Sequence, residues 1–437
     1  MHKIISVPIA IASILTLAAC AGAGSSGGST DSSTGTTALQ DSPRELLIWV
    51  DIVREPAAKM YAEKMAGEID VTVEVVAQEE MLPKIALANQ TGSGWPDLLF
   101  APPNDIAIWA DASNGYALAL DDYLDPSIIE GYEGSNDWCL IEGQYYCLKN
   151  DLAQTVLWYD TVLFDELGLT IPTTFSEFST EAMKLKGTGY VAGAIGDQGF
   201  YSGYLWPSGC PMTSVQDGTT VRINPDTPEC SRVWKEIQPL VDAGVLDTRS
   251  AFDAGFIADV ANAGKVAMHI GPSWWGEFVI RPADSWGIEA GRISAAPMPK
   301  WSGESINYSG EWGGGIWAVS SNAVNPQDAV DAIVYLATSV EVAKDGVTFP
   351  GFKPAYEAWS ARLDADPYYA ISPVAAMKSQ ASKIRQTEKP VRFNAQGQIG
   401  ATLQAGLNGG ETVEKSVRSF LDSLQQLAPG GGYTVID

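Results

Sequence analysis

The sequence predicts an α/β fold built on mainly parallel sheets. Short apolar or alternating runs of strand length alternate with stretches carrying helix start and stop signals, the order that βαβ units require. Hydrophobic residues make up 46% of the 437 positions and charged ones only 18%, so the chain can bury a large core. That length suggests two or three domains.

The elements follow in order. "LLIWV" (46–50) reads as a buried strand, and Pro56 then opens a helix at a position where its missing N–H costs nothing. "VTVEVV" (71–76) alternates as a strand does, and residues 79–90 read as a second helix ending near Gly92. "DLLF" (97–100) is a short apolar strand, followed by a helix from about Asp105 to Ala112 with Gly115 beyond it. In such sheets ligands bind beyond the carboxyl ends of the strands. Asp51, Asn104 and Asp105 lie just past two of those ends. A second helix-rich region starts near Thr161, where Thr174 or Ser176 offers a cap for a helix reaching about Lys186. Residues 231–243 read as another helix, while "GKVAMHIG" and "RISAAPMP" (292–299) read as strands. No internal repeat is evident.

A formal net charge of −26 makes nucleic acid and anionic membrane surfaces poor partners. Residues 1–20 place Lys3, an apolar stretch and small residues in the order of a secretory signal, too short and wrongly flanked to span a membrane. The ending Leu17-Ala18-Ala19-Cys20 resembles the bacterial lipobox, in which the cysteine is lipidated and becomes the new N-terminus. The Gly/Ser/Thr-rich stretch Ala21 to Thr37 is a flexible tether by composition. The domains expected are a leader over 1–19, a lipid-anchored tether over 20–44 and a globular body held at the extracellular face of the cell membrane.

Without Cys20 four cysteines are left, and an even number outside the cell suggests disulfides. The local pairs Cys139–Cys147 and Cys210–Cys230 are expected. A three-residue turn at Glu142-Gly143-Gln144 would pair Ile141 with Tyr145 and set Cys139 opposite Cys147. The second bridge would close a loop around Asp217-Gly218, a hairpin signal.

Several enzyme signatures fail on context. Gly22-x-Gly24-x-x-Gly27 and Gly24-x-Ser26-x-Gly28 match the dinucleotide and nucleophile-elbow patterns, but both lie in the tether with no strand before them. Once the leader is removed the one histidine is His269, inside an apolar strand, where a core role outweighs a catalytic one. One histidine and four bridged cysteines leave no zinc site, and no metal or cofactor is expected. Glycoside hydrolysis needs only two carboxylates at a set separation, and among 53 acidic residues no spacing singles out a pair.

The aromatics say more. With 14 Trp and 16 Tyr against 12 Phe, the chain favours rings with a polar edge, which suit wet concave sites. They recur near strand ends and loops: Tyr201 and Trp206, Trp274 and Trp275, Trp312. A sugar ring offers an apolar C–H face and a rim of hydroxyls. Covering that face with a tryptophan contributes roughly 1–2 kcal/mol by area.

With these residues in view the chain resembles a known family, the carbohydrate-class extracellular solute-binding proteins, maltose-binding-protein-like receptors of ATP-binding-cassette importers. "WPDLLF", "NGYALALDDYL", "GQYYCLKNDLAQTVLWYDTVLFDELGLTIPTTFSEF", "AGFIADVANAGKVAMHIGPSWWGEF" and "GGETVEKSVRSFLDSL" follow that family's segments in order over residues 45–437. The resemblance implies a two-lobed periplasmic-binding-protein-like fold of type II, with lobe 1 at 45–150 plus 297–340 and lobe 2 at 151–296 plus 341–437. It implies sugar bound between lobes that close around it. Matched by position, Trp274 or Trp275 is the second lobe's aromatic platform, Asp51, Asn104 and Asp105 are polar contacts of the first lobe, and Asn150-Asp151 is the crossover contact. "GEWGGGIW" (310–317) matches the returning strand and adds Glu311, Trp312 and Gly313; Tyr201 completes the candidate carbohydrate site. Ala101 stands where the maltose-binding member has an aromatic, which argues against a maltodextrin but not against a sugar.

The function expected is therefore capture of a neutral oligosaccharide and its delivery to the membrane permease subunits of a sugar importer. The protein is expected to be a monomer, to meet the membrane only through its lipid, to bind no nucleic acid and to do no chemistry. A secreted glycoside-active enzyme and a surface sugar sensor or adhesin are the alternatives.

Overall fold

The computed structural model describes residues 44–111, 113 and 115–437. The leader, Cys20, the tether and Ala112 lie outside the described residues. Among those described, no helix is long and apolar enough to cross a membrane.

The first sheet has five strands in the order Ile69–Val75, Arg44–Val50, Leu98–Ala101, Ile316–Val319, Leu148–Lys149. The first three pair in parallel, and the last two join antiparallel. Side chains alternate across this sheet, as a pleated strand requires. Leu46, Ile48, Val50, Leu98 and Phe100 enter one core, whereas Trp49, Leu99 and Ala101 enter another on the opposite face. Helices cover both faces. Glu55–Lys64 and Pro326–Thr338 pack on the first, and Gln78–Thr91 buries Met81 and Ile85 on the second. Gln78–Thr91 stops at Gly92, whose φ of 72° is the left-handed turn that favours glycine.

The second body has the largest core, and its sheet corrects one expectation. Thr155–Asp160 lies between Met268–Pro272 and Ile293–Ala296, antiparallel to both. Parallel pairing in this body is limited to the short pair Thr220–Arg222 with Thr434–Ile436 and to isolated bridges such as Val191 with Val266 and Ala194 with Asp247. A strand run does not encode the direction of its partner, so composition could not settle this. Several helices cover the core. Phe175–Met183 is capped by Thr174, not Ser176, in a reciprocal box with Glu177. Pro228–Asp242 and Val413–Leu427 follow, the latter burying Val413, Val417, Phe420, Leu421 and Leu424 along one stripe. The helix expected from Asp105 is a short 3-10 turn and then Ile106–Ala110.

The chain changes core at three places. Leu148 packs in the first body and Leu152 in the second. Trp301 lies in the second and Ile316 in the first; Ala337 lies in the first and Phe349 in the second.

Both bridges join the expected cysteines, Cys139 to Cys147 with Cα atoms 5.1 Å apart and Cys210 to Cys230 at 4.4 Å. The register behind the first is different. Leu140 pairs with Tyr145 and Ile141 with Gln144, so the turn has two residues. Glu142 and Gly143 both take positive φ, 50° and 89°, as a hairpin turn matched to strand twist demands. Cys139 still reaches Cys147 because it ends a 3-10 turn, Asp137–Cys139, and is not a strand residue.

Candidate functional site

A cleft of about 510 Å³ opens where the first sheet's strand ends meet the loops of the second body. Asp51 directly follows the strand Arg44–Val50, and its backbone leads into Arg54. Arg54 ties the two sides of the cleft together. Its guanidinium donates to Asp51 Oδ2 at 3.3 Å and to Asp151 Oδ1 at 3.1 Å, and it lies 4.3 Å over the Phe100 ring. Gln78 Nε2 also donates to Asp51 Oδ2, at 2.8 Å. Asp151 is nearly fully buried and accepts further bonds from Asn150 Nδ2 and the Gly315 amide.

The opposite wall is aromatic. The strand Met268–Pro272 ends at Gly271-Pro272, after which Trp274 reaches the cleft, while Trp275 is fully buried. Trp275 stacks on His269 at 4.9 Å and meets Trp286 edge-on at 5.9 Å. The Trp274 indole N–H donates to the carbonyl of Trp312 at 2.8 Å, and the two rings meet edge to face at 5.6 Å. The glycines after Trp312 are needed by geometry. Gly313 and Gly314 take φ of 90° and 78°, and a Cβ on Gly315 would stand 1.9 Å from the Phe100 ring.

Of the candidate residues, Asp51, Asn104, Asp151, Trp274, Trp312 and Gly313 line this cleft. The others lie elsewhere. Asn150 is engaged on both sides of its amide, with Asp151 and with the Trp317 indole N–H. Tyr201 is buried, and Asp105 lies in a separate narrow crevice beside Phe393 and Asn394, where burial pushes its carboxyl up to about 6. Glu311 is buried behind the cleft. Its Oε2 accepts from Lys149 Nζ at 2.6 Å and its Oε1 from the Ala153 amide at 3.2 Å. Desolvation raises the Glu311 carboxyl and Lys149 opposes that rise. His269 is a core residue, pushed down to about 3 by burial, and its Nε2 has no partner among the described residues.

Sequence reasoning missed Arg54, Gln78, Gln198, Phe278 and Gln396, which also line the cleft. Arg54 carried a faint signal, an arginine three residues after an aspartate just past a strand end. The glutamines carried none, because their elements meet only in the folded chain.

A larger cavity of about 730 Å³ lies on the far side of the crossover segments, lined by Tyr132, Trp138, Lys149, Trp206, Glu311 and Tyr356, among others. It includes none of Asp51, Asn104, Asp151, Trp274 or Trp312. The smaller cleft is the candidate site because it joins strand ends, glycine-rich crossover and exposed aromatic faces.

Residues 49–343 match the family described as bacterial extracellular solute-binding protein. An arabinooligosaccharide-binding protein of Halalkalibacterium halodurans is 23% identical over 333 residues, 72% of each chain. Among solved structures, the transporter-associated binding protein of B. animalis subsp. lactis Bl-04, in complex with β-1,6-galactobiose, is similar with a TM-score of 0.71 at 23% identity, over 91% of this chain and all of the other. The galacto-N-biose/lacto-N-biose I-binding protein of Bifidobacterium longum, in complex with lacto-N-biose, aligns with a TM-score of 0.75 at 17% identity, over 90% of this chain and 99% of the other.

Proposed function

The chain belongs to the bacterial extracellular solute-binding protein family, and on that premise we propose that it is the sugar-capturing receptor of an ATP-binding-cassette importer. Its two lobes close around a neutral oligosaccharide in the 510 Å³ cleft and deliver it to membrane permease subunits. The observation that carries this reading is the composition of the cleft. Trp274, Trp312 and Phe278 offer ring surface, and Gln78, Asn104, Gln198 and Gln396 offer amides. Rings cover the C–H face of a pyranose or furanose, and amides both donate to and accept from hydroxyls.

The charges favour a neutral ligand. Among the described lining residues Arg54 is the one cation, and both cleft carboxylates already hold it. An acidic sugar would find no free positive group. The same bridge argues for binding without chemistry, since glycoside hydrolysis needs one carboxyl group to give a proton and another to act as base or nucleophile. The similar arabinooligosaccharide-, galactobiose- and lacto-N-biose-binding proteins support a short neutral sugar.

We place the lobes as the cores divide. Lobe 1 holds residues up to about 150 and resumes near Gly315, and lobe 2 holds the segment between and the chain after about 341. The return crossover then lies at Glu311–Gly315 and not at 297, because Met298 and Trp301 pack in the second core. Anchoring at the extracellular face of the cell membrane through Cys20 rests on the leader sequence.

Calorimetric titration of the purified protein with a panel of neutral and acidic oligosaccharides tests the function. A neutral oligosaccharide is expected to bind with micromolar or better affinity and be recovered unchanged. Hydrolysis of the bound sugar, or selective binding of uronic acids, would overturn the reading.

A further inference from the structure

We propose that a relay of three side-chain amides, Asn104, Gln396 and Gln198, closes the inner end of the cleft and sets the length of the oligosaccharide accepted. Asn104 Nδ2 donates to Gln396 Oε1 at 3.1 Å, and Gln396 Nε2 donates to Gln198 Oε1 at 2.6 Å. All three side chains line the cleft on one side. On the other side the same three, together with Pro103 and Gly313, which also line both spaces, border a void of about 10 Å³ whose remaining walls include Trp138, Trp206 and Glu311. Those last three residues in turn line the 730 Å³ cavity. Three spaces therefore stand in a row, and the amides are the first partition.

The second partition is the Trp138–Trp206 pair, with ring centroids 5.5 Å apart. Both rings are fixed by their indole N–H groups, Trp138 to the Pro103 carbonyl at 3.0 Å and Trp206 to the Arg385 carbonyl at 2.8 Å. The first partition is the weaker one. It consists of two side-chain hydrogen bonds on three unbranched amides, contributed by both bodies: Asn104 follows the first sheet, and Gln198 and Gln396 belong to the second body. Among the described residues Asn104 Oδ1 and Gln198 Nε2 have no protein partner, so each end of the relay keeps one acceptor or donor for the hydroxyls of a terminal sugar. Truncating Gln396 or Gln198 would open the amide part of this wall and join the cleft to the void in front of the Trp138 and Trp206 rings, lengthening it toward their faces.

This inference rests on the cleft being an oligosaccharide site. Its test is the length profile of binding by wild type, Gln396→Ala and Gln198→Ala, measured by calorimetry with arabino-oligosaccharides and β-1,6-galacto-oligosaccharides of increasing length. Loss of the relay as a cross-lobe tie weakens all lengths alike, whereas loss of a wall changes the ratio between lengths. We expect wild type to prefer short members, and each variant to shift the ratio toward longer ones by about tenfold or more, which is about 1.4 kcal/mol. The two variants cut the relay at different residues, so misfolding of one, seen in its thermal melt, leaves the other to decide. An unchanged ratio in a folded variant overturns the gate and leaves the sugar reading intact. Failure of wild type to bind any neutral oligosaccharide overturns both.

Discussion

Trp274 and Trp275 stand next to each other, yet only one touches the cleft. Trp275 is packed among His269, Trp286 and Phe252, and Trp274 presents a partly exposed ring beside Trp312 and Phe278. We expect Trp274→Ala to weaken sugar binding by roughly 1–3 kcal/mol, since it loses both area and shape. That is about 5- to 150-fold in Kd, read by calorimetry. Trp275→Ala should chiefly lower the melting temperature, because deleting a core aromatic costs about 3–5 kcal/mol of stability. Unchanged affinity in both variants would place the site elsewhere. A second residue-scale effect concerns pH. Glu388 is buried, accepts from the Thr213 amide and hydroxyl, and is pushed up to about 7 by desolvation. Between its ordinary value and that one, the folded chain keeps a proton that the unfolded chain has lost. Its stabilisation is therefore complete below about 4.5 and lost as pH rises through about 7. Glu388→Gln should lose less stability than wild type over that window, by at most about 1.4 kcal/mol per pH unit. Thermal melts at pH 4.5 and 8 would show it, and parallel pH profiles would refute it.

At the scale of elements, two disulfide-stapled hairpins from different bodies meet on one arginine. Arg392 donates to Glu142 Oε1 at 3.2 Å, at the tip of the Cys139–Cys147 hairpin, and to the Gly218 carbonyl at 2.5 Å, at the tip of the hairpin inside the Cys210–Cys230 loop. It also lies 3.6 Å from Asp111 and 4.4 Å over the Tyr433 ring. Rigid tips hold this tie in register. Its contacts to Glu142 and Asp111 span the two bodies, so under the proposed function they would favour the closed arrangement. Arg392→Met should raise Kd about 2- to 10-fold for sugars of every length. Added salt should weaken wild type more than the variant. A variant with wild-type affinity at low salt would mean that the contact does not bias closure. These elements were partly legible. Strand and helix positions follow from apolar period, proline and glycine, so the first two βα units and the third strand stand close to where the patterns put them. The two-residue turn at Glu142-Gly143 was misread because glutamate at positive φ is uncommon, and no composition signal marks it.

For the whole molecule, the sequence reading joins this body to a lipid-bearing Cys20 through a tether. Cys20→Ala should release the protein into the medium with sugar affinity unchanged, as fractionation and calorimetry would report. One acyl chain anchors only marginally, so the lipidated cysteine is expected to carry more than one. A variant that stays with the membrane would sink the anchor. By itself the sequence determined the α/β class, the cysteine partners, the family and the strand ends that border the cleft, because each follows from local period, spacing or ordered motifs. Tertiary structure alone decided the rest. Arg54 meets Asp151 across 97 residues of sequence, and Asn104 and Gln198 meet Gln396 across 292 and 198, so bridge and partition exist only once the chain has folded. Glu311 leaves the cleft for the same reason, since the partner that holds it, Lys149, is 162 residues away in sequence. A side chain's neighbours depend on how the two bodies pack, and no local pattern records that packing.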